Sequence, residues 1–330
     1  MAAGGRPRGA AAQARTPFRL IITETTTPLV PNSVMELAES LGYYRDAGVE
    51  LELVRVQQTP SAVAALHSGS GEMANISVDT VLQLVARGQL PLKAVVSPNK
   101  SIPYVIVAKE GIASVADLAG KSFGVGRIGS LDHSLSTMVL RQHGLDPAGL
   151  DFVNIGQPNV RAQALLAGQI DATTVSIGTW VSLPEKQGLK LLVGQEEFYA
   201  AAPVVNKVNV VTPEVLAARR PEVVAVVRAI VLASRDFARE PERWVEAMAA
   251  ARPDVAVEEL RRLAQAYRGS WSVNGGLNPA ELDHTVDWNY ASDELKDLPR
   301  IDAADWVDHS VIAEVLQEVG TVPDVDQPAS

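Results

Sequence analysis

Cysteine is absent from the 330-residue sequence, and several kinds of chemistry are absent with it. Without a thiol the chain can form no disulfide, no thiolate metal site, no cysteine nucleophile and no lipid-modified N-terminal cysteine. The five histidines are scattered, with no H-E-x-x-H or comparable ligand spacing. The sequence therefore predicts no metal site and no cofactor.

Basic residues and long apolar runs are also scarce. The 29 Lys and Arg residues are outnumbered by 39 Asp and Glu residues, and a net charge of -10 disfavours nucleic-acid binding, which needs a basic face. No apolar run reaches the roughly 18 residues of a membrane span, and residues 223–233 are interrupted by Arg228. We expect a globular chain without nucleic-acid partners, long enough for about two domains of roughly 150 residues each.

The chain does contain a regular alternation of strand-like and helix-like segments. Runs such as FRLIITET, VELELVRV and PLKAVVS alternate with amphipathic segments such as VDTVLQLVARG. In NSVMELAESLG, Asn32 or Ser33 is expected to cap a helix, with Glu36 near the capping-box position. After Val211 the segments are helical and several begin with proline, and Asn278 is expected to cap the helix that begins at Pro279. This order predicts an α/β fold with mostly parallel sheets.

Two segments of the sequence resemble each other. ALHSGSGEMANIS (65–77) and ALLAGQIDATTVS (164–176) align without gaps, and the alignment matches Glu72 with Asp171 and Ser77 with Ser176. Chance similarity between two amphipathic segments is one explanation. The other is a pair of similar α/β lobes, in which both serines follow strands and face one cleft.

The stretch GVGRIG (124–129) fits the pattern G-x-G-x-x-G of dinucleotide-binding turns. Such a turn opens the first βαβ unit and is followed by an acidic residue at the end of the next strand. Here it lies more than a hundred residues into the chain, and the next strand ends in NIGQ. We interpret the stretch as a strand that turns tightly into a helix whose N–H groups await an anion.

Several motifs, taken in order, resemble one protein family. LGYYRDAGVELELV, ALHSGSGEMANIS, ASVADLAGKSFGVG, GSLDHS and ALLAGQIDA are similar to segments of periplasmic substrate-binding proteins of ABC transporters, in the sulfonate, taurine, nitrate and thiamine-precursor (SsuA/THI5-like) group. The likeness covers roughly residues 18–320. It implies the two-lobed type II binding-protein fold, with each lobe a mostly parallel sheet flanked by helices.

The resemblance also implies a domain organisation and a function. Residues 18–105 and 206–330 would form lobe I and residues 106–205 lobe II, with crossing hinge segments near Tyr104–Lys109 and residues 203–211. Residues 1–17 would be a signal-peptide remnant or a disordered leader. The implied protein is a periplasmic monomer that binds a small organic anion, a sulfonate or a carboxylate, and delivers it to a membrane permease.

Two other functions remain open at this point. TTTPLVPNSVMELAESLGYYRDAGVELEL resembles the start of sulfinate desulfinases, which share this fold, but Thr27, Pro28 or Leu29 stands where they have a catalytic cysteine. A desulfinase-like or decarboxylase-like enzyme acting on a small aromatic acid is therefore the alternative. His67 lies near a histidine of the enzyme that makes the thiamine pyrimidine, yet the cysteine-rich loop is absent. A cytosolic ligand-sensing module is the third possibility.

Candidate ligand contacts lie where strands turn into helices, because ligands of open α/β sheets bind at the carboxyl ends of the strands. The first set follows the early strands: Thr25, Thr26, Thr27, Ser77 and Thr80. The alternative for the threonines is that they only close a turn. Asp79 could cap a helix or accept hydrogen bonds from a ligand, and its role stays open.

The second set belongs to the middle of the chain. By resemblance to the family, it comprises Arg127, Gly129, Ser130, His133, Ser176, Thr179 and Trp180. Arg127 would add a positive charge to an anion site or lie in solvent, and His133 would donate to the anion or pack against the preceding strand. SIGTW replaces a Trp-Asp-Pro segment of many relatives, so no carboxylate is available there for a ligand ammonium, which argues against taurine. Trp180 could instead stack on an apolar or aromatic ligand body.

Overall fold

A computed structural model describes residues 16–100, 102–183, 186–292 and 294–323. Two five-stranded sheets carry the fold. The first sheet consists of β1 (Phe18–Ile22), β2 (Leu51–Arg55), β3 (Met73–Ser77), β4 (Lys93–Asn99) and β10 (Lys207–Val211). The second consists of β5 (Tyr104–Lys109), β6 (Ser122–Val125), β7 (Asp151–Asn154), β8 (Ala172–Ser176) and β9 (Leu189–Val193).

The two sheets have the same topology. The strand orders are β2-β1-β3-β10-β4 and β7-β6-β8-β5-β9. β1 pairs in parallel with β2 and β3, whereas β10 runs antiparallel to β3 and β4. In the second sheet β5 is the antiparallel strand, between β8 and β9. Both sheets are therefore mostly parallel, as predicted, and each has one strand that returns against the rest.

Helices cover the faces of both sheets. Those between the strands are α1 (Val34–Ser40), α2 (Tyr43–Asp46), α3 (Thr59–His67), α4 (Val78–Ala86), α5 (Leu131–Gln142), α6 (Pro158–Leu166), α7 (Ile177–Ser182) and α8 (Gln195–Ala201). The helices after β10 are α9 (Pro213–Ala218), α10 (Arg220–Arg239), α11 (Pro241–Ala251), α12 (Val257–Ala266), α13 (Pro279–Tyr290), α14 (Ala303–Trp306) and α15 (His309–Val319). Single 3-10 turns occur at Pro31–Ser33, Val115–Leu118 and Pro147–Gly149.

The largest apolar core is built around α10. The buried residues of this helix, among them Val223, Val227 and Ile230, pack in one cluster with Phe18 and Leu20 of β1. Burial of that apolar area is the main driving force for folding of this half of the molecule. The same cluster continues through α12 to α7, so α12 connects the helical C-terminal third to the second sheet. Among the described residues, no helix combines the length and apolar character needed to cross a membrane.

The two similar sequence segments occupy equivalent places. Residues 65–77 form the end of α3 and β3, and residues 164–176 form the end of α6 and β8, the central strand of each sheet. Glu72 Oε2 accepts from the backbone N of Arg19 at 2.7 Å, and Asp171 Oδ2 accepts from the backbone N of Ser122 at 3.1 Å. Each carboxylate thus ties its segment to the neighbouring strand. The prediction of two similar α/β units is confirmed.

Asp171 gives a pH-dependent contribution to stability. Lys109 Nζ donates to Asp171 Oδ1 at 2.8 Å, and together with the Ser122 hydrogen bonds it holds the pKa of this carboxyl at about 2. We expect Asp171→Asn to lower the free energy of unfolding at pH 7 by about 1 kcal/mol, a value reduced for the partial exposure of the pair. Because the folded pKa lies below the unfolded value of about 3.9, this stabilisation is complete above pH 4 and disappears as the pH falls toward 2.

Urea unfolding of the wild type and the variant, measured between pH 7 and pH 2, checks this expectation. The matched control is Asp151→Asn, since Asp151 is exposed at the start of β7 in the same sheet. The control should change stability by less than about 0.5 kcal/mol throughout. A constant difference between Asp171→Asn and wild type from pH 7 to pH 2 would show that the carboxylate charge is not responsible.

Of two helix caps predicted from the sequence, the structure contains the one near the C-terminal end of the chain and lacks the one near the N-terminal end. Asn278 Oδ1 accepts from Ala280 N at 2.9 Å and caps α13, as predicted. The predicted cap of α1 by Asn32 or Ser33 is wrong, because neither side chain bonds to its N–H groups. Trp244 Nε1 donates to Ser33 Oγ at 3.0 Å, and Asn32 donates into the first sheet.

Candidate functional site

In each sheet the central strand ends in a serine, and the hydroxyl of this serine forms a hydrogen bond with a threonine in the first turn of the next helix. Ser77 Oγ lies 3.0 Å from Thr80 Oγ1, and Ser176 Oγ lies 2.9 Å from Thr179 Oγ1. These residues close β3 and β8 and begin α4 and α7. The four hydroxyls are only partly buried, so they stay accessible at the carboxyl ends of the central strands. We refer to Ser77 with Thr80 and Ser176 with Thr179 as the two hydroxyl pairs.

Backbone hydrogen bonds attach both hydroxyl pairs to the segments where the chain crosses between the sheets. Val78 N, at the start of α4, donates to Asn206 O at 3.1 Å. In the same way Ile177 N, at the start of α7, donates to Pro103 O at 2.7 Å. The crossings therefore include residues 102–103 and 202–206, directly before β5 and β10. Any change in the angle between the sheets would move the two hydroxyl pairs relative to each other.

The strand that follows each crossing places one further polar side chain beside a hydroxyl pair. Lys207, the first residue of β10, is opposite Ser77, and Tyr104, the first residue of β5, is opposite Ser176. Burial raises the pKa of the Tyr104 phenol, and the nearby Asp132 carboxylate acts in the same direction. The phenol is therefore a neutral hydrogen-bonding group at neutral pH.

A charged network lies beside the first hydroxyl pair. Lys207 Nζ donates to Thr23 Oγ1 and to Glu24 Oε1, each at 2.8 Å. Asn32 Nδ2 donates to the same Glu24 oxygen at 3.0 Å. The side chains of Lys207 and Glu24 are only 22% and 16% exposed, which strengthens their attraction relative to a surface ion pair. Neither Glu24 nor Lys207 was a candidate from the sequence.

A second charged network lies beneath the other hydroxyl pair. The Arg161 guanidinium, 3% exposed, is 3.3 Å from Asp132 Oδ2 and donates to the backbone oxygens of Thr174 and Gly156. Asp132 Oδ2 also accepts from Gly126 N at 2.7 Å. Burial lowers the pKa of Arg161, and the Asp132 charge opposes that effect. This network joins α5, α6 and β8 below Ser176.

Most backbone N–H groups of the loop before α5 already donate to acceptors within the protein. Arg127 N donates to Ser130 Oγ at 3.2 Å, and Gly129 N donates to His133 Nδ1 at 3.1 Å. The His133 ring contacts Phe152 of β7 edge to face, with ring centroids 4.6 Å apart, and burial lowers its pKa. His133 thus packs against β7, the strand that follows α5, whereas its alternative role named the preceding strand. Arg127 is exposed.

The remaining candidates are dispersed. Thr25 and Thr26 are exposed, whereas Thr27 is buried and its hydroxyl donates to Glu36 Oε2 at 2.7 Å. Trp180 is half-buried on α7, with Lys186 Nζ 5.3 Å from the centre of its ring. Four of the predicted contacts therefore share one arrangement, the hydroxyl pair at the end of a central strand: Ser77, Thr80, Ser176 and Thr179.

A cavity of about 370 Å³ lies beside the crossing segments. It is bounded by Asp79 at the start of α4, Gly129 before α5, Asn206 and Trp288 of α13. This volume is within the range of small-molecule sites. Asp79 and Gly129 are the sequence candidates that line it. Within the described ranges, no group of three His, Asp or Glu residues is placed to hold a metal ion.

Comparison with known protein families identifies the family of this chain. The NMT1/THI5-like family model matches residues 33–244, more than half of the chain. A search of curated protein sequences gave no match.

Solved structures give the fold. The periplasmic sulfonate-binding protein SsuA from Methylobacillus flagellatus KT matches with a TM-score of 0.73 at 16% identity, over 96% of this chain and 98% of that one. The alkanesulfonate-binding protein SsuA from Xanthomonas axonopodis pv. citri, bound to MOPS, matches with a TM-score of 0.60 at 22% identity, over 90% and 99%. The desulfurization enzyme DSZB matches with a TM-score of 0.63 at 16% identity, over 92% and 99%.

These matches agree with the two sheets of equal topology and with the resemblance seen in the sequence motifs. Sequence identities of this level indicate a shared fold, whereas the ligand depends on the residues of the site itself. The chain belongs to the NMT1/THI5-like family and has the fold of periplasmic binding proteins.

Proposed function

We propose that this protein is the extracytoplasmic solute-binding protein of an ABC importer and binds a small organic anion between its two sheets. The observation that carries this proposal is the duplicated hydroxyl pair, Ser77 with Thr80 and Ser176 with Thr179, attached on both sides to the crossing segments. A ligand held by both pairs would fix the angle between the sheets. A permease could then recognise the closed form.

Three features support an anionic ligand. The hydroxyl pairs supply donors, and α4 begins without a side-chain cap, so N–H groups of its first turn face the ligand with the positive end of the helix dipole. One of the three N–H donors of the Lys207 ammonium has no partner among the described residues. Two structurally similar proteins are sulfonate-binding, and one is bound to MOPS, itself a sulfonate.

The same proposal includes the domain division expected from the family. Residues 18–105 with 206–330 would form one lobe and residues 106–205 the other; the two sheets follow this division except at Tyr104 and Val105, which belong to β5 of the second sheet. We propose that the protein acts as a periplasmic monomer with a membrane permease as partner. The predicted leader lies, apart from its last two residues, outside the described residues, and Arg219 donates to the backbone oxygens of those two, Thr16 and Pro17.

Ligand-dependent thermal shift tests the proposal. The panel comprises ethanesulfonate, benzoate, nitrate and a pyrimidine, each from micromolar to millimolar concentration. A ligand that binds only the folded state stabilises it by RT ln(1 + [L]/Kd), or about 2.7 kcal/mol at a hundredfold excess over Kd. We expect a saturable rise in Tm with an organic anion. No rise with any organic anion would contradict the proposal.

The enzymatic alternative is separated by product analysis on the same samples. The fold is shared with the enzyme DSZB, but the Thr27 hydroxyl is buried against Glu36, and Pro28 and Leu29 carry no nucleophile. We therefore expect no sulfite, carbon dioxide or other product from sulfinates or aromatic acids after prolonged incubation. Catalytic release of a product would show that the protein is an enzyme and would contradict the proposed receptor function.

A further inference from the structure

A row of polar side chains runs through the first sheet toward the ligand site. Asn75 of β3 and Asn209 of β10 are opposite each other and fully buried, and Asn75 Nδ2 donates to Asn209 Oδ1 at 2.8 Å. Asn32 Nδ2 donates to Asn75 Oδ1 at 3.2 Å and to Glu24 Oε1 at 3.0 Å. The row ends at Glu24, whose carboxylate also accepts from Lys207 beside Ser77.

Two acceptors at the outer end of this row have no donor within the part of the chain that the structure describes. Glu24 Oε2 and Asn32 Oδ1 are buried atoms without a hydrogen-bond partner among the residues that the structure describes. Asn32 is 2% exposed, so solvent does not reach its side chain freely. Reversing its amide would direct the oxygen at Glu24 Oε1 and Asn75 Oδ1, and thus replace two donor contacts by repulsion. The unpaired atom is therefore the oxygen.

The charges in this region are balanced before a ligand arrives. Glu24 is paired with Lys207, and on the second sheet Asp132 is paired with Arg161. A purely anionic ligand would find no uncompensated cation in either pair. Glu24 Oε2 and Asn32 Oδ1 are already buried without a donor from the described residues, which costs free energy, so a ligand that supplies a donor at this end gains binding energy that a ligand without one does not.

From these contacts we infer that Glu24 and Asn32 select ligands that carry an N–H or O–H donor, that is, amino- or hydroxy-substituted organic acids. The donor would bind Glu24 Oε2 and Asn32 Oδ1 while the acid group binds at the hydroxyl pairs. An ammonium would gain more than a hydroxyl because its bond to the carboxylate is charge-assisted. This inference rests on the proposed binding of an organic anion.

Two matched ligand series test the inference on the wild-type protein. The first is ethanesulfonate, 2-hydroxyethanesulfonate and 2-aminoethanesulfonate (taurine), for which Glu24 would supply the carboxylate that the sequence lacks beside Trp180. The second is benzoate, 4-hydroxybenzoate and 4-aminobenzoate. By titration calorimetry we expect the preferred series to show at least about tenfold tighter binding for a substituted member than for its parent. Equal or weaker binding of both substituted members would overturn the inference and leave the proposed function standing. No binding by either series would overturn both.

A pair of variants locates the effect. Glu24→Gln keeps the size of the side chain and removes its charge, so the preference for the donor-bearing ligand should fall about tenfold while the parent acid binds at least as well as before. Glu110→Gln is the control, because Glu110 is exposed beyond the far end of β5, and its preference should equal that of the wild type. If a folded Glu24→Gln protein, checked by circular dichroism, kept the full preference, the assignment to Glu24 would be wrong.

Discussion

Arg161→Leu is expected to lower the free energy of unfolding by about 3–5 kcal/mol, because it removes one partner from a buried charge pair. The guanidinium is 3% exposed and contacts Asp132 Oδ2 and the backbone oxygens of Thr174 and Gly156. Leucine leaves the Asp132 carboxylate without its cation in a site that solvent barely reaches. The Gly156 and Thr174 backbone oxygens lose the guanidinium donors at the same time. Urea unfolding followed by circular dichroism measures the loss.

The controls for Arg161 separate charge from packing. Arg141→Leu makes the same substitution at an exposed site near the end of α5 and should change stability by less than about 0.5 kcal/mol. Asp132→Asn in the Arg161→Leu background removes the unpaired charge and should restore part of the loss, since an amide can remain buried at lower cost than a carboxylate. A loss below about 1 kcal/mol for Arg161→Leu would show that the pair contributes little to the fold.

The second large effect is expected on binding. The double variant Ser77→Ala/Ser176→Ala should weaken the binding of the best organic anion by about a hundredfold or more. Each substitution removes a hydroxyl that would donate to a charged ligand, and such bonds contribute about 1.5–3 kcal/mol each. Titration calorimetry against wild type measures the change in Kd. Each single variant should lose part of the affinity, because the ligand contacts both sheets.

A cap at the other end of the first sheet provides the control for the serines. Ser176 Oγ accepts from Thr179 N at 3.1 Å, so its loss also removes a helix cap, at a cost of about 1 kcal/mol of stability. Thr212 Oγ1 accepts from Val215 N at 3.3 Å and caps α9, beyond the opposite end of β10. Thr212→Ala should show a similar loss of stability and unchanged ligand affinity. Equal affinity of the double variant and wild type would remove the hydroxyl pairs from the site.

The fold could be predicted from the sequence because its signals are local or repeated. The alternation of short β-branched runs with amphipathic segments predicted the sheets and helices, and the match of Ser77 with Ser176 predicted two equivalent units. The Asn278 cap depends on a neighbour two residues away. Contacts of this range are fixed by spacing along the chain and do not depend on the tertiary fold.

Side chains whose partners are distant in sequence could not be predicted in the same way. Asn32 and Ser33 have the residue types of helix caps, but β3 and α11 supply better partners, 43 and 211 residues away. Glu24 and Lys207, 183 residues apart, meet only because β10 returns beside β3. Arg161 lies in a polar stretch that resembles a solvated helix face. Only the packing of α6 against β8 shows that its guanidinium is buried.

The G-x-G-x-x-G stretch contains one feature that the sequence predicted correctly and one that depends on residues distant along the chain. The pattern correctly placed a turn at the start of a helix, where Gly129 has a left-handed backbone, φ 84°. The expected supply of free loop N–H groups is reduced, because Gly126 N donates to Asp132 and Ile128 N donates to Asn154 Oδ1. Acceptors from α5 and β7 occupy these donors. An anion bound here would therefore rely on the first turn of α5 itself.

The structure of the complex with the tightest-binding organic acid is the most direct test of ligand binding between the two sheets. We expect one ligand within hydrogen-bonding distance, about 2.7–3.2 Å, of Ser77 or Thr80 on one side and of Ser176 or Thr179 on the other. Its donor group should lie against Glu24. A ligand bound in the cavity beside Trp288, or held by one sheet alone, would contradict the assignment of the site to the two hydroxyl pairs.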